Sequence, residues 1–252
     1  MHDSLPNRII PLAEDDRYIV RLASTTDEIE SALRLRHDVF IKELGAGRSQ
    51  PSGRESDGHD LECEHLIVVE RATGNTVGTY RMRSVDAKEG ISGFYSNTEF
   101  SIETLPTDVL AGGIEVGRAC VAAEHRTTRA IFLLWKALAR RMKETGKRYF
   151  FGCCSIFTQN PADGAAVYSR LKRDGLIHDR YCVEPRRAIA EADRAASDVS
   201  RIKLPGLFEM YLRVGARVCG RPTYDVDFGT VDFFVVFDLE AMEPKYRRLF
   251  LN

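Results

Sequence analysis

The chain has 252 residues, with 36 lysines and arginines against 37 aspartates and glutamates, 44% hydrophobic residues and 29% charged ones. This is the composition of a soluble globular protein with a sizeable core, and a formal net charge of -1 argues against bulk nucleic-acid binding. The amino terminus lacks a basic segment followed by an apolar run, and no stretch approaches the roughly 18 apolar residues that span a bilayer, so a cytoplasmic protein, held at most on the inner face of the membrane, is expected.

In chain order, Tyr18 to Ala23 reads as a first strand, and Thr25-Thr26-Asp27-Glu28 offers a capping-box start to a helix running to about Leu44. Ile29, Ala32, Leu33, Arg36 and Phe40 share one face of that helix by their spacing. Arg36 therefore points at the core, where a buried charge needs an acidic partner. The glycine-rich and polar stretch from Gly45 to Gly58 is a loop, and Glu55-Ser56-Asp57-Gly58-His59-Asp60 gathers three acidic residues at its end. Cys63 to Arg71 and Thr76 to Arg83 form a hairpin across Thr73-Gly74-Asn75.

Residues 84 to 113 read as irregular, with Phe94, Tyr95 and Phe100 available to line an apolar pocket. Ile114 to Ala123 is the next strand. Glu115 and Arg118 differ by an odd number, so a regular strand sends them to opposite faces; a bulge near Gly117 returns them to one side. Thr127 to Thr145 is an amphipathic helix through Ile131, Leu134, Trp135, Leu138 and Met142, closed by Gly146. Its first turn carries Arg126, Thr127, Thr128 and Arg129, where free N–H groups and the helix dipole favour an anion, with plain capping as the alternative.

Arg148 to Ser155 is a strand, and Asn160-Pro161 begins a helix that ends at Gly175. Residues 176 to 202 lack periodicity and read as a lid or connection. Pro205 to Gly220 is an amphipathic helix, Val231 to Leu239 an apolar strand, and a short basic helix finishes the chain. The six cysteines fit reduced, mostly buried residues. His59, Cys63 and His65 lack a zinc-ligand spacing, so no metal is expected. Nucleotide-binding glycine loops and the serine-hydrolase elbow are absent.

Four patterns in order, Arg36 with Val39-Phe40, Asp57 with Asp60, Gly78-x-x-Arg81 and Glu115-x-x-Arg118, resemble the acyl-homoserine-lactone synthases and long-chain N-acyl amino acid synthases. That family includes the ornithine-lipid N-acyltransferases and is related to the GNAT acyltransferases. The resemblance runs from Arg36 to about Gly152 and implies an α/β (α+β) GNAT-like fold, a central mixed twisted sheet flanked by helices. We expect a single domain over 1–252, with a core of about 17–160 and carboxyl-terminal helices and strand over about 161–252.

The activity implied is transfer of a long-chain fatty acyl group to the α-amine of an amino acid, giving an N-acyl amino acid such as lyso-ornithine lipid. Its donor is an acyl group on the phosphopantetheine of acyl carrier protein, with acyl-CoA as the alternative and no permanently bound cofactor. Glu115 is the candidate to orient the amine and accept its proton, with Arg118, Arg36, Asp57 and Asp60 fixing its geometry; the alternative is a Glu115–Arg118 pair that only joins elements. Arg81 is either a clamp for the acceptor carboxylate or a strut. Substrate contacts fall on Arg36, Phe40, Asp57, Asp60 and Arg81, with Phe94 and Phe100 along the acyl tunnel. Donor contacts fall on Cys120, Val121, Arg126, Thr127, Thr128 and Arg129, and the basic residues Lys136, Arg140 and Lys143 offer a docking face to an acidic carrier protein.

Two rivals remain open on sequence alone. A homoserine-lactone synthase using S-adenosylmethionine fits the charged clusters, but the chain extends past the compact core of those enzymes and has Gly45-Ala46 where they commonly carry Gly-Trp. A noncatalytic carrier-protein or membrane-binding module using the Pro205 to Gly220 helix belongs to another class.

Overall fold

The computed structural model describes residues 10–48, 50–84, 90–189 and 202–251. Two short strands open the chain, β1 (Ala13–Glu14) and β2 (Tyr18–Leu22), followed by helix α1 (Thr26–Arg36). The hairpin β3 (Glu64–Glu70) and β4 (Thr76–Arg83), helices α2 (Ser96–Glu99) and α3 (Thr107–Ala111), strand β5 (Gly113–Val121) and helix α4 (Thr128–Thr145) come next. Strand β6 (Tyr149–Ile156), helices α5 (Pro161–Arg173) and α6 (Gly206–Val214), strands β7 (Arg217–Val218), β8 (Thr223–Asp225) and β9 (Thr230–Asp238), and helix α7 (Pro244–Leu251) complete it.

These strands build one sheet of nine in the order β1-β2-β3-β4-β5-β6-β9-β7, with β8 also paired to β9. Among the described residues every pair of neighbouring strands is antiparallel except β5 with β6. Its centre lies between β4 and β9, and the alternation of side chains sends one set of residues to each face. Helix α1 crosses β3, β4 and β5. On the other face Leu134, Trp135, Leu138 and Met142 of α4 join Val20, Leu66, Met82, Phe150 and Phe237 in the largest core cluster. The expected helix face of α1 is present: Ala32, Leu33, Arg36 and Phe40 are buried and Ile29 partly so.

Thr25 caps α1 by accepting from the Glu28 amide, but the Glu28 carboxylate turns back to the Ser24 amide rather than closing a box on Thr25. The helix continues to the expected end as a π-helical turn over His37–Glu43, a form common near functional sites. Of the stretch 84–113, residues 85–89 lie outside the described residues; the part from 90 on is more ordered than its lack of period suggests, because its helical turns are too short to show one, and Phe94, Phe100, Ile102, Leu105 and Val109 form a second core with Phe151 and Phe234.

The helix expected to Gly220 stops at Val214. Gly215 takes φ 122°, outside any helix, and Arg217 and Val218 gain ladder bonds to β9 instead. Of the segment 176–202, residues 190–201 lie outside the described residues; the part before them is pinned by single bridges from Ile177 to Val218, Pro185 to Phe100 and Ala188 to Thr223. Among the described residues no helix is long and apolar enough to cross a membrane.

Candidate active site

The site begins where the sheet opens. Strand β5 pairs in parallel with β6 only through Gly113, Ile114 and Glu115, while β6 runs on beside β9 to Ile156. At the parting point the backbones nearly touch: a Cβ added to Gly152 stands 2.3 Å from the Val116 carbonyl oxygen. Beyond it β5 keeps β4 as its neighbour, and among the described residues its other edge has no strand partner.

A bulge falls at the same place. Thr79 faces Cys120 and Arg81 faces Gly117, so two residues of β5, Arg118 and Ala119, oppose the single residue Tyr80. Among the described residues Arg118 is the one non-glycine with positive φ, at 49°, a conformation that costs on the order of 1 kcal/mol or more and persists only where the surroundings hold it. The bulge is thus where the sequence puts it, with Arg118 rather than Gly117 in the left-handed region.

What holds Arg118 is a ring of alternating charges. Its guanidinium donates to Glu55 (3.2 Å) and Asp57 (2.9 Å); Arg81 donates to Asp57 (2.6 Å) and Asp60 (3.1 Å); Arg36 donates to Asp60 (2.7 and 3.2 Å) and to Glu55. Three cations and three anions close on themselves, so the cluster is neutral though buried, and Arg36 is 0% exposed. Burial raises the carboxyls of Asp57 and Asp60, but the neighbouring arginines outweigh it and hold both below the usual range. Asp57 and Asp60 also form a reciprocal capping box at the Gly58–Glu62 turn, which explains why they are spaced by three.

Glu115 stands outside this ring. Its carboxylate accepts from the backbone amides of Tyr95 (2.9 Å) and Ser96 (2.7 Å), and the residue is 7% exposed. The expected fixing of Glu115 by Arg118, Arg36, Asp57 and Asp60 is therefore replaced by two amides at the start of α2. Tyr95 links the two parts: the Arg118 guanidinium lies 4.5 Å from its ring centre and 4.5 Å from that of Phe228.

Between the parted strands runs a cavity of ≈ 670 Å³, a volume typical of small-molecule sites. One end is polar, with Arg81, Arg83, Tyr95, Glu115, Arg118 and Asp232; the other is apolar, with Leu134, Trp135, Leu138, Leu207, Tyr211 and Phe237 from α4, α6 and β9. Phe40, Cys120, Val121 and Arg126 also line it. Arg36, Asp57 and Asp60 stand behind the wall and reach it through Arg81 and Arg118. Phe94 and Phe100 are corrected from tunnel lining to core: both are 0% exposed, packed against Phe151 and Phe234, while their neighbour Tyr95 faces the cavity.

The sequence reading misses a second buried acidic group. Asp225 and Asp232 are 1% and 2% exposed, line the cavity, and lie in β8 and β9, an apolar-looking region in which no charged motif stands out. Tyr95 donates its hydroxyl to Asp225 at 2.7 Å, and Thr230 donates to Asp232 at 2.9 Å. Burial, then the charge of Asp225, pushes the Asp232 carboxyl up to about 6. Glu55 is also missing from the expected site residues, although it opens the acidic stretch that carried Asp57 and Asp60.

At the amino end of α4, Thr127 caps the helix by accepting from the Ala130 amide. Neither arginine there is bare: Arg126 is paired bidentately with Glu43 and Arg129 with Asp15 and Asp16. These are exposed pairs, which exchange readily. Of the four residues in that turn only Arg126 reaches the cavity.

A sheet opened between two parallel neighbours, with a bulge at the opening and a cleft leading through it, defines the GNAT acyltransferase class. Consistent with this, the family described as "Acetyltransferase (GNAT) domain" matches residues 35–136. The chain is 31% identical over 245 residues to the L-ornithine N(alpha)-acyltransferase of Brucella abortus (strain 2308), covering 90% of this chain and 86% of that protein. It is 32% identical over 241 residues to the one of Rhizobium meliloti (strain 1021), covering 90% and 81%. Among solved structures, the AHL synthase LasI superposes with TM-score 0.53 at 12% identity over 92% of this chain and 94% of its own. The CoA-dependent acyl-homoserine lactone synthase BjaI gives 0.51 at 16% over 89% and 82%. Those two share the fold. The chain belongs to the L-ornithine N(alpha)-acyltransferase family, and it is an acyltransferase.

Proposed function

We propose that the protein transfers a long-chain fatty acyl group from the phosphopantetheine of acyl carrier protein to the α-amine of an amino acid. The single observation that carries this reading is the two-ended cavity: charged groups of both signs at one end, aliphatic and aromatic walls at the other, meeting where β5 leaves β6. A zwitterionic acceptor suits the first end and an acyl chain the second. The names of the relatives make ornithine the favoured acceptor and lyso-ornithine lipid the product.

In this arrangement Arg81 and Arg118 draw the acceptor carboxylate toward the polar wall, since guanidinium groups suit carboxylates geometrically. The neutral amine attacks the thioester carbonyl; the C–N bond forms and the C–S bond breaks. The nitrogen's surplus proton passes to Glu115 through a water and then to the departing thiolate, giving the free thiol. Backbone N–H groups along the edge of β5 past its pairing with β6 receive the developing oxyanion. Glu115 keeps lone pairs for this task, because each carboxylate oxygen accepts more than one hydrogen bond.

Incubating the purified protein with acyl carrier protein charged with fatty acids, in separate reactions with an amino-acid panel and with S-adenosylmethionine, tests the reading by mass spectrometry. An N-acyl amino acid is the expected product. A homoserine lactone, or no acylated product from any acceptor, overturns it.

A further inference from the structure

The buried carboxylates at the polar end exceed what the ion ring uses. Asp225 and Asp232 line the cavity, and Glu99, on α2 behind that lining, is 6% exposed with an Oε2 that has no hydrogen-bond partner among the described residues. None of the three makes an ion pair among the described residues; their donors are neutral, Tyr95, Ser155, Thr230 and the amides of Asp227 and Phe228, with a long contact of 3.5 Å from Thr98 to Glu99. Burial, then the charges of Asp225 and Asp232, pushes the Glu99 carboxyl up to about 7, with Arg187 opposing them. Three carboxyl groups thus crowd one buried place, where the ring a short way off matches every carboxylate with a guanidinium. Such a group favours an incoming cation.

The cation it fits is an ammonium on a flexible stem. Among the described residues no set of His, Cys, Asp and Glu side chains is arranged to hold a metal ion. The polar end of the cavity carries both signs, Arg81 and Arg118 together with Asp225 and Asp232, and Tyr95 stands between them, its ring against the Arg118 guanidinium and its hydroxyl donating to Asp225. Resting on the reading of the protein as an amino-acid N-acyltransferase, we propose that Asp225, Asp232 and Glu99 form the subsite for the acceptor's positively charged side chain and so select diamino acids such as ornithine. The carboxylate end of the acceptor goes to the arginines, the side-chain ammonium to the acidic group, and the α-amine is left between them facing Glu115 and the thioester. Holding the second amine as an ion-paired ammonium also removes its lone pair from competition.

The test uses the full chain, one acyl carrier protein donor, and L-ornithine, L-lysine, L-norvaline and L-citrulline as acceptors. Wild type is expected to favour ornithine over norvaline in kcat/KM by roughly 30-fold or more, the lower end of the loss when one member of a buried charge pair is removed. Asp232→Asn lowers that ratio strongly, mainly through KM for ornithine, while norvaline and citrulline change far less. Because Asp232 is bonded within the sheet, Glu99→Gln is the second variant; its side chain has little to lose structurally, and it lowers the same ratio several-fold. A wild type that takes norvaline within a few-fold of ornithine overturns the subsite, as do folded Asp232→Asn and Glu99→Gln proteins that keep the wild-type ratio. In either case acylation itself persists, whereas a wild type that acylates none of the four overturns the acyltransferase reading beneath it.

Discussion

Glu115 and Arg118 stand three residues apart on one strand yet serve different partners: Glu115 accepts from the amides of Tyr95 and Ser96, and Arg118 donates to Glu55 and Asp57. The bulge at Arg118 and Ala119, just past the regular pairing of Glu115 to Gly117, accompanies this division. It separates a carboxylate facing the cavity from the charges that build the cavity wall.

Glu115→Gln keeps one amide acceptor and nearly the same shape, so the fold should survive. Turnover at saturating substrates is expected to fall by roughly 10² to 10⁴, the range for a general acid-base group. Steady-state kinetics with a parallel melting curve checks this; near-normal kcat in a folded variant reduces Glu115 to a clasp for the Tyr95-Ser96 turn.

Arg36→Ala leaves Asp60 and Glu55 short of a countercharge in a buried ring. The expected loss of stability is roughly 3 to 5 kcal/mol, read by urea denaturation. An unchanged midpoint means that water enters the ring and replaces the guanidinium. The effect on acceptor KM should exceed that on kcat, because Arg36 reaches the cavity only through Arg81 and Arg118, the groups that draw the acceptor carboxylate.

The fold was legible where patterns are long or chemically specific. Helix α4 showed its period over 18 residues, and the hairpin showed its alternation and its Thr73-Gly74-Asn75 turn. Arg36 was legible as a buried charge because Ala32, Leu33 and Phe40 fix its helix face. Phe94 and Phe100 were not, since aromatic residues in an aperiodic stretch fit a tunnel wall and a core equally until the chain path is known. Asp225 and Asp232 were invisible for a different reason: each is a single charge among apolar strand residues, and only the pairing of β8 with β9 brings them together.

Acidity should expose the two carboxylate groups with opposite signs. Asp57 and Asp60 have lowered pKa values in the folded protein, so their stabilisation is present above about pH 4 and is lost as pH falls further. Asp232, raised from 3.8 to about 6, binds its proton more tightly when folded. Its contribution is greatest below about pH 4 and is lost as pH rises through 6, on the order of 3 kcal/mol for one such carboxyl. Unfolding free energy measured by urea between pH 4 and 7 should therefore decline, and Asp232→Asn should flatten the decline. An equally steep decline in the variant assigns it elsewhere.

Arg126 is the cavity-lining cation at the start of α4 and is countered by Glu43. If the donor phosphate displaces Glu43 there, Arg126→Ala should raise KM for acyl carrier protein about tenfold, a loss near 1.4 kcal/mol, with little change for the amino acid. Added salt should weaken the wild-type donor interaction by screening. Equal donor KM values in both proteins, with no salt dependence, remove this turn from the donor site.

The most direct test of the reaction uses L-ornithine labelled with ¹⁵N at the α-position, incubated with acyl carrier protein carrying one fatty acyl chain and the purified protein. Fragmentation of the product should place the acyl group on the labelled nitrogen, and Glu115→Gln should yield far less of it. An acyl group on the unlabelled side-chain nitrogen, or no acylated ornithine at all, contradicts transfer to an α-amine held between the arginines and the acidic group.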